Sequence, residues 1–390
     1  MRGASLECPV CGEFVLHDGP RVAPIAPTPT AGLGQGVFAV DRTLGSGYVQ
    51  QWNASVQRGL TANTTLEIAY VGSAITHVGI PDSNLNQLTA DQLALGPALL
   101  ERVPNPYFGV IPRSSSLGDP TLPIAQLLKP YPEYTTVSLY RNNVGTTRYD
   151  GLEVSVRQRF ARGLSYTAAY TRSTLVDDAS SVFDASILTG PVANYPIADS
   201  HDRSRERDYS TGDMPRVFVS SLVWELPAGA GRAHVLHGVS GALANGWTVA
   251  LLATLQSGTP VAVTQATNFN AFAGFGVQRP NLVGDPTLPA GERTAGRWFD
   301  TAAFTAAPQF AIGSASRNPV RGPSYRDVDL ALMRRVPVGR TAIELRAEVF
   351  NLLNTPPLGA PAAVLGAANF GTITTAGDPR VVQLAVKFVF

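Results

Sequence analysis

Gln51-Trp52-Asn53-Ala54-Ser55-Val56-Gln57 is the stretch that decides the fold of this chain. Trp52, Ala54 and Val56 share one parity, and Asn53, Ser55 and Gln57 share the other. A helix would scatter these side chains around its axis, whereas a strand sends them to opposite faces. After Arg58-Gly59-Leu60 the alternation resumes, with Leu66, Ile68 and Tyr70 against Thr65, Glu67 and Ala69. It returns as Leu152, Val154 and Val156 against Glu153, Ser155 and Arg157. Phe160-Ala161-Arg162-Gly163 is a tight turn, and Leu164, Tyr166, Ala168 and Tyr170 then oppose Ser165, Thr167, Ala169 and Thr171. Further strands fit 215–226, 246–260, 326–336, 340–351 and 380–390. In the last, Val382, Leu384, Val386, Phe388 and Phe390 oppose Gln383 and Lys387. The 215–226 stretch alternates poorly, with both faces partly apolar.

Composition narrows the setting. The chain has 390 residues, 44% hydrophobic and only 15% charged, with 37 glycines and 30 prolines. An ordinary soluble domain carries about 25% charged residues. The net charge of +1 provides no field for nucleic acid, and no nucleic-acid partner is expected. Lys129 and Lys387 are the only lysines, so there is no Lys-rich solubilising surface. Hydrophobic content this high with so little net charge argues against global disorder. No run of about 18 apolar residues exists, so no transmembrane helix is expected. Near its start the sequence shows no apolar stretch of the kind an export signal needs. An ordered chain remains, with a surface too apolar for water.

Strand length and connection length point to lipid. Many strands run about ten residues, the length that crosses a bilayer when tilted. The ring residues Trp52, Tyr70, Tyr170, Trp224 and Trp247 fall near strand ends, as membrane-interface aromatics do. Short connections near 58–63, 159–163 and 336–340, with a medium one at 227–245, alternate with long ones near 77–145, 174–214, 261–325 and 352–379. Such long connections are uncommon in compact soluble domains. Outer-membrane barrels sort short turns to one side and long loops to the other. The expected fold is therefore all-β: an antiparallel transmembrane β-barrel meander of about nine strands, a partial barrel with long extracellular loops. The polar face, with Asn53, Gln57, Thr65, Glu67, Glu153, Arg157, Thr167, Gln383 and Lys387, is expected to line the lumen. Loop 77–145 is expected to hold a short helix around Ala90–Arg102, where Leu93, Leu95, Leu99 and Leu100 cluster.

The same residues resemble the C-terminal part of the barrel of TonB-dependent outer-membrane receptors. The closest branch is the Oar-like group of acidobacteria, whose full proteins carry an N-terminal carboxypeptidase-regulatory-like domain. The resemblance rests first on Tyr48-Val49-Gln50-Gln51-Trp52-Asn53-Ala54-Ser55-Val56-Gln57-Arg58 and on Gly246-Trp247 through Leu255-Gln256-Ser257-Gly258-Thr259-Pro260. It continues in Arg279-Pro280-Asn281-Leu282-Val283-Gly284-Asp285-Pro286 and Arg297-Trp298-Phe299-Asp300-Thr301-Ala302-Ala303-Phe304. It ends in Arg346-Ala347-Glu348-Val349-Phe350-Asn351-Leu352-Leu353-Asn354 and Gly371-Thr372-Ile373 through Phe390. It implies an outer-membrane location and partners in outer-membrane lipid and in an extracellular ligand of unknown identity. It also implies that Gln383, Leu384, Val386, Phe388 and Phe390 form the terminal signal read by the barrel-assembly machinery, recognised through strand addition.

The departures from that family matter equally. A complete receptor of this kind carries a signal peptide, a TonB box, a plug and about 22 strands. The plug and TonB box have no counterpart here, and nine strands would leave two open edges in lipid. The stretch is expected to be a fragment, with residues 1–40 an irregular leader and linker and 41–390 a partial barrel. Contact with the TonB system would run through the missing plug and barrel half, so the chain alone is not expected to be transport-competent. Two rival expectations are a soluble or secreted β-sandwich or propeller that binds carbohydrate, with shorter strands and buried strand faces, and an inert gene remnant.

No enzyme, cofactor or metal is expected. Cys8-Pro9-Val10-Cys11 with His17 is half of a zinc ribbon, and no second Cys pair completes it. His234-Val235-Leu236-His237 lies in a Gly-rich turn, and Gly32-Leu33-Gly34-Gln35-Gly36 lacks the strand-then-helix setting of a phosphate loop. Asp177-Asp178 could hold a cation only with loop carbonyls. His201-Asp202-Arg203-Ser204-Arg205-Glu206-Arg207-Asp208 is expected to be a solvated outer loop.

Overall fold

The computed structural model describes residues 30, 32–42, 44–139, 142–179, 197–227 and 245–390. Nine long strands form one antiparallel meander in which each pairs with its sequence neighbours. They are β1 (Tyr48–Gly59), β2 (Thr64–Val78), β3 (Gly145–Ala161), β4 (Leu164–Asp177), β5 (Arg216–Glu225), β6 (Trp247–Gln256), β7 (Tyr325–Val338), β8 (Thr341–Phe350) and β9 (Val381–Val389). Every strand expected from alternation is present. β2 has 15 residues and β3 has 17, and the connection between them begins and ends close to the expected 77–145. Alternation is weaker at their loop-side ends, where Gly72 and Gly151 interrupt the apolar pattern and Arg148 and Asp150 place charge on the apolar parity. The stretch expected over 246–260 instead stops at Gln256, and Pro260–Val261 pairs separately with Val320–Arg321.

The register keeps each side-chain set on its own face across the sheet. One row runs Val56, Ile68, Val154, Tyr170, Phe218 and Leu255, each directly opposite the next. Another runs Leu222, Leu251, Leu330, Val349 and Val382. The opposite face carries Gln57, Glu67 and Ser155 in one row and Thr65, Arg157, Thr167 and Ser221 in the next. A one-residue slip at any pairing would invert this pattern. The register shifts within these ladders lie at strand ends, between Thr76 and Val78 and between Gln158 and Ala161.

The buried core sits in the loops and not in the sheet. Of the buried hydrophobic residues, only Val78, Ala253 and Ala342 belong to the nine strands. The apolar strand face is open instead, with Val56 73% and Leu384 77% exposed. A water-soluble sandwich would show the reverse, because burying strand faces is what stabilises it. The long connections 79–144, 178–215, 257–324 and 351–380 all leave the same end of the meander. They pack on one another there: Leu88, Leu93, Leu99 and Ala125 join Ala273 and Phe275. Val263, Phe299, Phe304 and Val320 are covered by Leu365 and Phe370, and Phe299, Phe304 and Phe370 meet edge-to-face.

Two loop expectations are refined. The helix expected around Ala90–Arg102 is two pieces, an α-helix at Ala90–Leu93 and a 3₁₀ turn at Gly96–Leu100. Thr89 and Gln92 cap the first reciprocally, and Gly96, at φ 63°, breaks the run before Pro97. The Gly32–Gly36 stretch continues into a short strand, Gly36–Ala39, parallel to Thr136–Leu139. Among the described residues, β1 and β9 each pair on one side only, so the sheet is not closed.

Candidate functional site

The polar face is a ladder of hydrogen-bonding and charged side chains. Gln57 lies opposite Glu67, Thr65 opposite Arg157, and Arg157 opposite Thr167. Glu153 faces Thr171, and Asn53 faces Val71. On the far side of the sheet Lys387 opposes Glu344 and Gln383 opposes Glu348. Alternation also puts Asp327 and Asp329 on this face, opposite Thr254 and Leu252. Sequence reading overlooked that pair because Val328 and Leu330 between them dominate the local pattern. Asp329 Oδ1 accepts the Asn351 amide at 3.0 Å, which anchors the start of the loop after β8. Asn351 and Asn354 both take left-handed backbone, φ 51° and 50°; Asn tolerates that conformation better than most residues, which explains their place in the Asn351-Leu352-Leu353-Asn354 motif.

The apolar face is bounded at both ends by polar and aromatic groups. At the loop end, the Arg148 guanidinium lies 4.9 Å over the Trp52 ring. Arg148 also donates to both Asp150 oxygens at 2.7 and 2.9 Å, and Tyr70 Oη donates to Asp150 at 2.6 Å. Trp52 lies flat across Gly72, directly opposite it, where a β-carbon would overlap the indole. At the short-turn end Trp247 sits under Arg334 at 5.6 Å, with Trp224 one strand over. Arg216 and Trp224 bracket β5, and Arg326 and Arg334 bracket β7. At roughly 3.3 Å per residue and a tilt of roughly 40°, each bracket encloses about 20 Å of membrane normal. That height is close to the roughly 25 Å apolar band of outer-membrane barrels.

The loop layer is tied together by buried arginine–carboxylate pairs. Arg279 Nη2 meets Glu206 Oε2 at 2.5 Å, Arg317 Nη2 meets Asp177 Oδ1 at 2.6 Å, and Arg321 Nη2 meets Asp213 Oδ2 at 2.5 Å. Arg203 meets Asp178 at 3.1 Å. Asp177 and Asp178, weighed above as a cation site, are therefore each neutralised by an arginine. The run 201–208 is only partly solvated: His201, Asp202, Ser204 and Arg207 are exposed, but other members are tied into the loop layer. Glu206 is buried, His201 Nε2 is 3.0 Å from the Gln87 carbonyl, and Asp208 accepts the Asn318 amide at 2.8 Å. Mixed charge looked like a water-facing run because its partners, Arg279, Arg317 and Asn318, lie far away in sequence. Within it, the Ser204 hydroxyl holds the Asp202 carboxyl below the usual range.

One cleft in this layer, about 370 Å³, is lined by Tyr209, Arg293, Trp298 and Arg321 among others. Arg321 stacks over Tyr209 at 5.0 Å and Arg293 over Trp298 at 6.0 Å. The Trp298 indole also donates to the Arg321 carbonyl at 2.8 Å, so the Arg297-Trp298-Phe299 motif builds one wall. Elsewhere Lys129 is buried with its amine 2.9 Å from Gln126 Oε1, and burial pushes that amine down to about 8. Cys8, Cys11, His17, His234 and His237 lie outside the described residues. No helix among the described residues is long and apolar enough to cross a membrane, which leaves crossing by strands open.

These features define an outer-membrane β-barrel. The family model for the outer membrane beta barrel domain matches residues 12–383, and the chain belongs to that family. Its location is the outer membrane. Among solved structures, the chain is similar to the outer membrane transporter YddB from Escherichia coli at 11% identity and TM-score 0.42, over 90% of this chain and 34% of that one. It is similar to the FrpB iron transporter from Neisseria meningitidis at 10% identity and TM-score 0.37, over 90% of this chain and 32% of that one. It is similar also to P. aeruginosa FpvA bound to heterologous pyoverdines, at 12% identity and TM-score 0.38, over 88% and 27%. The chain thus spans about a third of the length of the first two and 27% of the last. None of the curated proteins matches it.

Proposed function

We propose that the chain is the C-terminal barrel portion of a TonB-dependent receptor of the Oar-like type, serving ligand recognition and uptake across the outer membrane. The observation that carries this reading is the joint pattern of the meander. Nine strands keep one mainly apolar face and one mainly polar face in register, and the long connections pack together at one end. The apolar face meets lipid. Asn53, Gln57, Thr65, Glu67, Glu153, Arg157, Thr167, Gln383 and Lys387 face the lumen. The loop layer faces outward, and its Tyr209–Trp298 cleft contacts the cargo. The open edges at β1 and β9 support closure by further strands, because unpaired backbone groups are strongly unfavourable in hydrocarbon. Those strands, with the plug and its TonB contact, complete the transporter, and the barrel-assembly machinery reads Gln383 to Phe390.

The test is epitope insertion on intact cells that produce the whole receptor. A tag at 339–340 is expected to be hidden from antibody, and a tag in 79–144 or 257–324 to be accessible. Uptake of cargo by the same cells is expected to stop when the inner-membrane energy source is dissipated. Accessible short turns, or uptake indifferent to energisation, would overturn the assignment.

A further inference from the structure

We infer that Arg172, Arg216 and Arg326 form a binding site for the phosphate of an outer-leaflet lipid headgroup, on the outer wall of the barrel. The inference rests on the topology proposed above, in which the apolar face meets lipid and the loop end faces outward.

Arg172 of β4 and Arg216 of β5 are directly opposite each other in the ladder. Both stand on the apolar parity, one row above the opposed aromatics Tyr170 and Phe218. Directly opposed like charges destabilise a sheet. Nothing among the described residues relieves this pair: neither guanidinium makes an ion pair or hydrogen bond there, and both residues are exposed. Arg326 follows two strands on and one row lower, opposite Leu255, which itself opposes Phe218. It too is exposed and has no acidic partner among the described residues. Two strand spacings separate it sideways from Arg216 by roughly 10 Å.

Several other arginines behave differently. Arg148, on the same outward face, is held by Asp150, and Arg279, Arg317 and Arg321 each face a carboxylate. Among the described residues three cations thus have no counter-charge at the height where the apolar band ends. A phosphate is the ligand that suits them, since guanidinium groups grip its oxygens in parallel hydrogen bonds. The surface beneath favours a lipid over a free anion. Below the Tyr170–Phe218 row comes Ala168, Ser220 and Ala253, each opposite the next, a shallow row between larger neighbours. It can seat an acyl chain directly under the cationic cluster.

The experiment uses the intact outer-membrane protein that contains this chain, purified in detergent and titrated with dioleoyl phosphatidic acid under native mass spectrometry. The wild type is expected to retain the lipid. Arg172→Gln/Arg216→Gln should weaken retention about tenfold or more, as loss of charge-assisted bonds would. Arg334→Gln, at the opposite end of the same face, should retain it, and millimolar inorganic phosphate should not displace it. Unchanged retention in the double variant would overturn the site. So would equal loss in Arg334→Gln, which would indicate unspecific arginine anchoring, or displacement by inorganic phosphate, which would indicate a free-anion site. Heat-modifiable gel migration screens each variant for folding, and the single variants Arg172→Gln and Arg216→Gln replace the double if it fails. Brominated-lipid quenching of a fluorophore on Val154→Cys separates the two levels. Quenching with unchanged retention removes only the lipid site, whereas no quenching removes the topology and the site together.

Discussion

Replacing Glu206 by alanine should open the loop layer without disturbing the strands beneath it. Glu206 is 4% exposed and Arg279 8%. One Glu206 oxygen accepts the Ala198 amide at 2.8 Å, and the other meets Arg279 Nη2 at 2.5 Å. Without the carboxylate, Arg279 keeps a hydrogen bond to the Arg205 carbonyl at 3.0 Å, and its charge stays buried and uncompensated. Removing one partner of such a pair destabilises by about 3–5 kcal/mol. At about 1.4 kcal/mol per factor of ten, the local opening equilibrium should shift at least about a hundredfold. Amide hydrogen exchange of the intact outer-membrane protein in detergent measures it directly. Ala198 and its neighbours should exchange at least about a hundredfold faster, while the amides of β3 and β4 serve as an unchanged reference. Glu206→Met/Arg279→Met should restore most of the protection, because replacing a whole buried pair by apolar groups is often near neutral. A change below about threefold in the single variant, well under what an uncompensated buried charge demands, would refute the claim that this pair holds the loops together.

Three further outcomes follow from single sites. Gly72→Val drives a β-carbon into Trp52, so the barrel should unfold more easily, by about 1–3 kcal/mol; heat-modifiable migration reads this, and Trp52→Ala should relieve it. The buried Lys129 amine has a pKa near 8 against 10.5 unperturbed, so unfolding binds a proton between those values. Loop-layer stability should therefore rise from pH 8 towards 10.5, by about 3 kcal/mol in all. Lys129→Met should abolish that rise in exchange measurements. Phe390 is fully exposed beyond the end of β9, past the edge that pairs only with β8. Its deletion should lower the amount of the protein in the outer membrane, and unchanged levels by fractionation would remove its proposed role as an assembly signal.

The strands were legible because a two-residue period survives even in a weakly charged sequence, and Val154 through Arg157 shows both faces within four positions. The loop parity was legible because turns such as Arg162-Gly163 are local. What escaped reading was non-local. Glu206 looked solvated until Arg279, remote in sequence, came to lie beside it. In the upper halves of β2 and β3, Arg148 and Asp150 carry charge on the apolar parity, and only the fold explains that by placing them together over Trp52 and Tyr70. The arginine pair at 172 and 216 escaped for the same reason: register across β4 and β5, not spacing, sets them opposite one another.

The central claim is that the apolar face of this sheet meets lipid and the polar face does not. Single cysteines at Glu153, Val154, Ser155, Val156 and Arg157, each carrying a fluorophore, test it in the intact outer-membrane protein reconstituted with brominated lipid. Strong quenching at Val154 and Val156 with weak quenching at Glu153, Ser155 and Arg157 is the expected result. Uniform quenching, or the opposite alternation, would contradict the account.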